Sequence, residues 1–221
     1  MPRTLGTLVL FTLLAVPSLS PAQVVDLGEE KHMTFMREEE KLARDVYLTL
    51  AGLYPRSQVF STIADRSEQT HADTMADLLA SYGIADPNPT TNALPGSIGV
   101  FTGPDFGGYF SEKFDLLVAW GSTSLLDALY VGAFIEELDM LDIVDCPKAI
   151  VDDPDLDIDA GECGLAWTDE ARIRTVYGSL LEGSKRHLRS YVTNIEKIIG
   201  EGNYVAQVLT QEEVDAILDG T

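Results

Sequence analysis

The stretch Ser67-Glu68-Gln69-Thr70-His71 decides how the rest of the sequence is interpreted, because it sets an ionisable pair inside an apolar helical pattern. Glu68 and His71 are three residues apart, so in a helix both side chains leave the same face. The same face carries three core-type residues, Ala64, Met75 and Leu78. Burying an ionisable pair is costly unless something compensates it. A metal ion is one such compensation, and it requires further ligands from elsewhere in the chain.

The first residues of the 221-residue chain have the features of a secretory signal. Arg3 precedes an apolar run over residues 8–16, and Ser20 and Ala22 are small residues at positions that a signal peptidase favours. The run is too short for a stable membrane span. We therefore predict a signal peptide over residues 1–22 and an exported, periplasmic or extracellular protein, with an uncleaved anchor as the alternative.

The charge of the chain limits its partners. Fifteen Lys and Arg stand against 36 Asp and Glu, which gives a net charge of −21 at pH 7. Such a surface repels nucleic acid and anionic membranes and attracts cations. No segment after the signal is apolar enough to cross a bilayer. The composition therefore indicates no nucleic-acid partner and no membrane span after signal removal.

The two cysteines, Cys146 and Cys163, fall in one acidic loop. In an exported protein a disulfide between them is the expected state. In the chain-entropy model this cross-link contributes about 3 kcal/mol to stability.

Apolar periodicity predicts four long helices and no strand. The four are expected at 32–53, 59–82, 124–143 and 169–199. A short helix is expected at 110–120, and Thr210 with Glu213 forms a capping box before a last short helix. Residues 24–30 are expected to form a loose lead-in, and His32 to be exposed at a helix start. A bend is allowed at Gly183.

The connection 86–108 is long enough to carry the chain from one end of a bundle to the other. The pattern therefore predicts an all-α fold: a four-helix bundle over residues 23–200, with the long crossover between its second and third helices. Residues 201–221 are predicted to form a tail with a short helix.

Each long helix offers at least one inward-facing candidate metal ligand. The candidates are Glu40, Glu68, His71, Glu136, Asp139 and His187. Carboxylates with a few imidazoles suit iron or manganese, with zinc as a further option. Any one pair is weak, because Glu-x-x-His occurs by chance in many helices. The register is also open by one residue, since Glu39 stands beside Glu40 and Glu137 beside Glu136.

Three segments resemble the ligand helices of the ferritin-like superfamily. They are Glu40-Lys-Leu-Ala-Arg-Asp-Val-Tyr-Leu48, Glu68-Gln-Thr-His-Ala72 and Ala133-Phe-Ile-Glu136. More narrowly, the chain resembles the DUF2202 group, a ferritin-like branch. That similarity is carried by Glu38-Glu-Glu-Lys-Leu-Ala-Arg-Asp-Val-Tyr47, Val131-Gly-Ala-Phe-Ile-Glu-Glu-Leu-Asp-Met140 and Gly183-Ser-Lys-Arg-His-Leu-Arg189.

The resemblance implies a two-metal carboxylate site, with iron first and manganese or zinc as alternatives. It also implies iron oxidation, or reduction of peroxide or dioxygen, as the activity. The superfamily pattern has one Glu from each of two helices and Glu-x-x-His from each of the other two. This chain departs from it, because Ser184 stands three residues before His187 where a Glu is expected. A mononuclear site, a zinc site or an asymmetric pair of metals therefore stays open.

Further expectations concern residues around the ligands and the assembly. Tyr47 and Tyr191 lie on the ligand faces, seven residues after Glu40 and four after His187, and could hydrogen-bond ligands, although ordinary core tyrosines are the favoured interpretation. The acidic run 152–159 invites a calcium interpretation, but the glycine and the closing Glu of such a loop do not fall in place. A homo-oligomer is compatible with the sequence. The alternative function is a non-catalytic helical binding or structural module with a decayed metal site.

Overall fold

The structure is a computed structural model and describes residues 25–220. All regular elements in this range are helical, which confirms the predicted all-α class. In chain order they are α1 (Leu27–Leu53), α2 (Gln58–Ile63), a π-helical turn (Ala64–Glu68), α3 (Gln69–Ser81), α4 (Gly107–Gly121), α5 (Leu125–Val144), α6 (Lys148–Val151), α7 (Ala171–Ile199) and α8 (Gln211–Asp219). The predicted signal peptide lies outside the described residues.

Helix α1 begins earlier than the sequence pattern predicts. Asp26 and Glu29 form a capping box, in which the Asp26 carboxylate accepts from the backbone N–H of Glu29 at 2.8 Å. The helix therefore starts at Leu27 rather than 32, and the prediction of a loose lead-in over 24–30 is wrong for residues 27–30.

The early start also buries His32, which was predicted to be exposed. His32 lies in the second turn and has no exposed surface. Its Nδ1 is 2.7 Å from the Tyr177 hydroxyl, and its Nε2 is 2.7 Å from the carbonyl oxygen of Asp142. The exposure prediction is wrong because the cap at Asp26 lies about two turns before the first periodic apolar residue, Met33.

The helical segment over residues 58–81 is continuous but irregular. Helix α2 passes into α3 through the π-helical turn Ala64–Glu68. A π-turn inserts one extra residue and is found mostly as a single turn within an α-helix, frequently at functional sites. Here it contains Glu68 and immediately precedes the helix that carries His71.

The connection after α3 closes over one side of α1. Asn88, Thr91 and Ser97 are buried in it, because side chains of α1 hydrogen-bond to the connection. Lys41 donates to the Ser97 carbonyl at 2.9 Å, and Arg37 donates to the Thr91 hydroxyl at 2.8 Å. The connection is thus a packed layer, and α1 is buried on nearly all sides.

Helices α5 and α7 form the most extensive helix pair. Helix α1 packs against the 58–81 segment, α4 and α5, and the 58–81 segment also contacts α7. Gly132 of α5 allows a close approach, since a Cβ there would overlap the ring of Tyr191 on α7. Helix α7 is continuous through Gly183.

A disulfide, a capping box and a set of hydrogen bonds hold the segments outside the long helices. Cys146 and Cys163 form a disulfide, as predicted, with a Cα–Cα distance of 4.9 Å. The predicted Thr210–Glu213 capping box starts α8. The chain before α8 is held by Glu137, whose carboxylate accepts from the backbone N–H groups of Gln207, Val208 and Leu209 at 2.7–3.0 Å.

No helix within residues 25–220 is long and apolar enough to span a membrane.

Candidate metal centre

Glu68 lies at the centre of a buried group of carboxylates and imidazoles. The π-helical turn and the first turn of α3 carry Glu68 and His71, whose Oε2 and Nδ1 atoms are 3.2 Å apart. Glu68 is 2% exposed. The pair therefore faces the interior of the protein, as the apolar neighbours on its helical face predict.

Helix α1 supplies Glu40 to the same group. Its Oε2 lies 3.2 Å from Nδ1 of His71, and its Oε1 is buried without a hydrogen-bond partner among the described residues. Burial raises the pKa of Glu40 to about 7, although His71 acts in the opposite direction. Of the two register candidates on α1, Glu40 is the one that reaches His71.

Helices α5 and α7 supply Glu136 and His187 on the other side of Glu68. His187 Nδ1 lies 2.8 Å from Glu68 Oε1 and 3.3 Å from Glu136 Oε2. Tyr47 donates a hydrogen bond of 2.6 Å to Glu136 Oε1. The neighbouring Glu137 turns away to the C-terminal segment, so the register ambiguity on α5 resolves towards Glu136.

Two sets of three side chains bring their ligand atoms within 4.8 Å of one another, and they share one residue. One set is Glu40, Glu68 and His71, and the other is Glu68, Glu136 and His187. Both sets could hold a metal ion, and all five residues are buried or nearly so. The sharing of Glu68 places the two sets side by side.

Without a metal ion, protons balance the charges of the buried carboxylate and imidazole groups. Burial acts to lower the pKa of His71, but Glu40 and Glu68 outweigh it and raise that pKa to about 12. For His187, burial is likewise outweighed by Glu136 and Glu68, and its pKa rises to about 10. Burial acts to raise the pKa of Glu68, but the two imidazolium charges bring it below its ordinary value. The carboxylates thus hold protons on both imidazoles, and a cation at Nδ1 would have to displace those protons.

The residues present fit a metal ion. Carboxylate oxygens and imidazole nitrogens are ligands for iron, manganese and zinc. Buried oxygens without a hydrogen-bond partner among residues 25–220 include Glu40 Oε1 and Asp139 Oδ1. Unpaired buried polar atoms are rare in folded proteins, and a water or an ion is a usual partner for them. The donor set alone does not distinguish the metals.

Asp139 lies beside the two sets and belongs to neither. Its Oδ2 accepts a hydrogen bond of 2.5 Å from Ser184 on α7. Burial and the nearby Glu40 raise its pKa well above the ordinary value. The serine found in place of the expected Glu therefore binds the one predicted ligand that the structure leaves outside the sets.

The two predicted tyrosines differ in their contacts. Tyr47 binds Glu136 directly, as described above. Tyr191 packs its ring against those of Tyr47 and Phe60, with ring centroids 5.3 and 5.9 Å away. Tyr47 thus orients a candidate ligand, whereas Tyr191 contributes to the aromatic packing beside the site.

Sequence reasoning did not single out three residues next to this group. Ser67 contacts both imidazoles through its hydroxyl, and four-residue spacing from His71 was the signal for it. Glu39 and Asp142 form a further buried acidic contact beside Asp139, and burial together with Asp142 raises the pKa of Glu39 well above its ordinary value. Adjacent glutamates in one helix gave no signal for that contact.

The acidic loop does not assemble a comparable group. Within the part of the chain that the structure describes, the sets of three metal-ligand atoms include no residue of 152–159. Asp153 and Asp159 instead take part in local turns, where Asp153 accepts from the N–H of Asp155 at 2.9 Å. The loop therefore adds no support to the calcium interpretation.

Comparisons with known proteins place the chain among relatives of the same length. A family model described as an uncharacterized protein domain (DUF2202) matches residues 29–221. The uncharacterized protein MJ0754 of Methanocaldococcus jannaschii is 38% identical over 201 residues, which are 91% of this chain and 92% of the relative. A crystal structure of hypothetical protein MJ0754 from Methanococcus jannaschii DSM 2661 has a TM-score of 0.72 and 37% identity, with 92% of this chain and 99% of that chain covered.

Proposed function

The chain belongs to the DUF2202 family, and from this membership and the buried carboxylate–imidazole group we propose that it is an exported metal-binding oxidoreductase of ferritin-like type. Its site holds two divalent metal ions, one in each set of three ligands. The observation that carries this proposal is the position of Glu68 in both sets. A carboxylate has two oxygens, and those of Glu68 point to different imidazoles, Oε1 to His187 and Oε2 to His71.

The helix arrangement supports a ferritin-like four-helix bundle. Four long helical segments, α1, 58–81, α5 and α7, each contribute at least one member of the ligand group. The connection between the second and third of them includes residues 82–106 and α4, which is long enough for a crossover. We assign the bundle to residues 23–200 and the tail with α8 to residues 201–221.

Export is supported by the oxidised cysteine pair. Disulfides persist in oxidising compartments and are rare in most cytosolic proteins. The Cys146–Cys163 bond is compatible with a periplasmic or extracellular protein whose residues 1–22 are a signal peptide.

Each half of the site would be held by two carboxylates and one imidazole, with Glu68 counted in both. Glu40 and His71 hold one metal, and Glu136 and His187 hold the other. Bound iron would supply the electrons for the reduction of hydrogen peroxide to water, one from each ferrous ion. Iron is our first assignment because carboxylate oxygens stabilise the ferric state, with manganese and zinc as the alternatives.

The side chains around the ligands have separate tasks. Tyr47 fixes the orientation of Glu136 through its hydrogen bond. The buried core keeps bulk water from the carboxylates, which have side-chain exposures of 1–3%. The imidazoles are the more accessible side, at 11% for His71 and 8% for His187. Small oxidants therefore have their shortest approach at the imidazole edge.

Metal content tests the proposal. Protein purified from cells supplied with iron should contain two metal ions per chain by elemental analysis, and anaerobic Fe²⁺ followed by peroxide should give a ferric absorption band. One ion per chain would favour a mononuclear site. A content near zero for iron, manganese and zinc, with no uptake on addition, would favour the alternative of a structural module with a decayed site, for which the Ser184 replacement is the supporting observation.

A further inference from the structure

The Ser67 hydroxyl lies between the two imidazoles of the candidate centre. Its Oγ is 2.8 Å from Nε2 of His187 and 3.4 Å from Nε2 of His71. The two rings come from α7 and α3, and their centroids are 5.6 Å apart with a tilt of 31°. One side chain on the π-helical turn thus contacts the same atom of both rings.

Both imidazoles are oriented in the same sense with respect to this hydroxyl. Each Nδ1 faces the carboxylates, at 2.8–3.3 Å from the nearest oxygens of Glu40, Glu68 and Glu136. Each Nε2 therefore faces away from the carboxylates and towards Ser67. A metal ion in either set of ligands would bind Nδ1 and leave the proton of that ring on Nε2.

We propose that Ser67 is a positioning residue shared by both halves of the metal site, and that it couples the loading of the two divalent cations. A metal-bound imidazole donates its Nε2–H, and a hydroxyl oxygen has two lone pairs with which to accept two such bonds. Partners of this kind fix the tautomer and ring orientation of a metal-binding histidine. The first metal fixes one ring and, through it, the Ser67 rotamer that the second ring requires. This inference rests on the proposed function.

The fold places Ser67 by means of the irregular turn. Ser67 and His71 are four residues apart, which puts them on one helical face. Ser67 lies in the turn Ala64–Glu68, and the extra residue of that π-turn changes the directions of Ser67 and Glu68 relative to a regular α-helix. In the observed turn Glu68 reaches the Nδ1 atoms of both imidazoles, while its neighbour Ser67 reaches their Nε2 atoms.

Helix α7 leaves room for the same edge of His71. A Cβ on Gly183 would lie 2.5 Å from Cε1 and 2.7 Å from Nε2 of that ring. Because real Cβ atoms do not approach so closely, the absence of a side chain at 183 is required for the observed ring position. The Nε2 edge is thus bounded by a glycine on one side and the Ser67 hydroxyl on another, and that hydroxyl is the hydrogen-bond partner that the structure gives to Nε2 of His71.

The test is calorimetric titration of the metal-free full-length mature protein with Mn²⁺, comparing wild type with Ser67→Ala, Ser67→Thr and the matched control Ser61→Ala. Ser61 lies on α2, and the one hydrogen-bond partner that its hydroxyl has within residues 25–220 is the carbonyl of Gln58. We expect Ser67→Ala to weaken binding of both ions by about 10- to 100-fold. The threonine variant, which keeps the hydroxyl, and the Ser61 control should bind within a few-fold of wild type.

A second readout follows the protons themselves. In the Zn²⁺-loaded protein, which is diamagnetic, nitrogen-15 spectra should show Nε2–H signals for both histidines that exchange slowly in wild type and Ser67→Thr. In Ser67→Ala both signals should exchange rapidly. A merely structural role for Ser67 would lower stability without moving these signals.

The outcomes separate this inference from the function on which it rests. Wild-type affinity for both ions in Ser67→Ala, or weakening at one ion alone, would overturn the shared role and leave the metal site standing. A wild-type protein that binds neither Mn²⁺ nor Zn²⁺ would overturn the proposed function and this inference with it.

Discussion

Helix α1 carries two buried charged clusters on different faces, and they are built in opposite ways. The clasp cluster joins α1 to the connection after α3 and contains Arg37, Lys41, Arg44, Asp45, Asp86 and Glu38. Asp45 is at its centre, bonded to Arg44 at 2.6 and 2.9 Å, to Lys41, and to the backbone N–H of Gly99 at 2.9 Å. Three cations face three carboxyl groups in this cluster, of which Glu38 has its pKa raised to about 7 by burial.

The ligand cluster on the inner face contains four carboxyl groups and two imidazoles. The carboxyl groups are Glu40, Glu68, Glu136 and Asp139, and the imidazoles are His71 and His187. Among residues 25–220, no lysine or arginine forms an ion pair with these carboxyl groups. The charges are balanced instead by protons on the imidazoles and on the carboxyl groups whose pKa burial raises. The difference is that lysine and arginine side chains supply the cations of the clasp cluster, whereas the ligand cluster contains none and could take a metal ion.

Removing the central anion of the clasp cluster should have the largest effect on stability. Asp45→Asn would leave Lys41 and Arg44 buried beside a neutral side chain, and breaking a buried ion pair in this way costs about 3–5 kcal/mol. Urea denaturation in the presence of a chelator should show this loss, and added metal should not restore it beyond its effect on wild type.

The exposed pair Lys31–Asp105 offers a matched control. Its atoms are 2.7 Å apart, but its side chains are 18% and 30% exposed. Asp105→Asn should therefore cost less than about 1 kcal/mol. Equal losses in the two variants would contradict the role given to burial.

His32 offers a third buried case to compare with the two clusters. Among residues 25–220 its imidazole has no acidic side-chain partner. Burial lowers its pKa to about 4, although the carbonyls of Asp142 and Asp145 act in the opposite direction. Between pH 6.5 and about 4 the unfolded chain binds a proton at this residue that the folded chain does not. Stability should therefore fall as the pH falls through this window, by about 3 kcal/mol in total.

The measurement for His32 is a difference between wild type and His32→Gln, since other groups titrate in the same range. Wild type should lose about 3 kcal/mol more than the variant between pH 6.5 and 4 in denaturant titrations. Parallel pH profiles for the two proteins would contradict the neutral buried state of His32.

Neutralising a carboxyl group of the ligand cluster should affect the stability of the metal-free protein much less than neutralising Asp45 of the clasp cluster. Glu40→Gln should change the stability of the metal-free protein by less than about 1 kcal/mol at pH 7, because burial already raises the pKa of Glu40 to about 7 and Gln resembles the protonated form. It should remove the gain from the ion that Glu40 and His71 would hold, about 2.7 kcal/mol at a free metal concentration of 100 Kd, and leave the gain from the other ion.

Thermal melts with and without Mn²⁺ measure both quantities for Glu40→Gln. The exposed Glu30→Gln on the same helix is the control and should keep the full metal-dependent gain. A Glu40→Gln protein that is as unstable without metal as Asp45→Asn would show that Glu40 is a structural residue like those of the clasp.

Local sequence signals were sufficient for the helices. The apolar periodicity and the Thr210–Glu213 capping box predicted elements that the structure contains. The start of α1 was missed because the cap at Asp26 precedes the periodic residues by more than a turn, and His32 was misplaced for the same reason. The clasp cluster was not foreseen, since nothing in a run of alternating charges indicates which of them meet a distant connection.

The candidate site was predictable to the level of residue type and helix face. The spacing of Glu68 and His71, the inward-facing candidates on the other long helices and the resemblance to known ligand helices together indicated six residues, and five of them lie together in the structure. The irregular turn at Ala64–Glu68 could not be predicted, because a π-turn depends on packing rather than on any residue in it. Without that turn, neither the sharing of Glu68 nor the contacts of Ser67 could be inferred.

The smallest expected effect on stability is that of Ser184→Ala. This variant tests whether Asp139 is a structural residue, like those of the clasp cluster, or a metal ligand. Ser184→Ala removes the donor of the 2.5 Å hydrogen bond to Asp139 Oδ2, and Asp139 Oδ1 has no hydrogen-bond partner in the described chain. A buried carboxyl group that loses its donor costs about 1–3 kcal/mol, and we expect the lower end because Asp139 can remain protonated. If Asp139 is held by the protein, as the residues of the clasp are, the variant should lose stability without metal and still bind two Mn²⁺ ions. Unchanged stability together with a fall to one ion would instead place Asp139 among the metal ligands, with Ser184 orienting it, and the double variant Ser184→Ala/Asp139→Asn would then bind one ion as well.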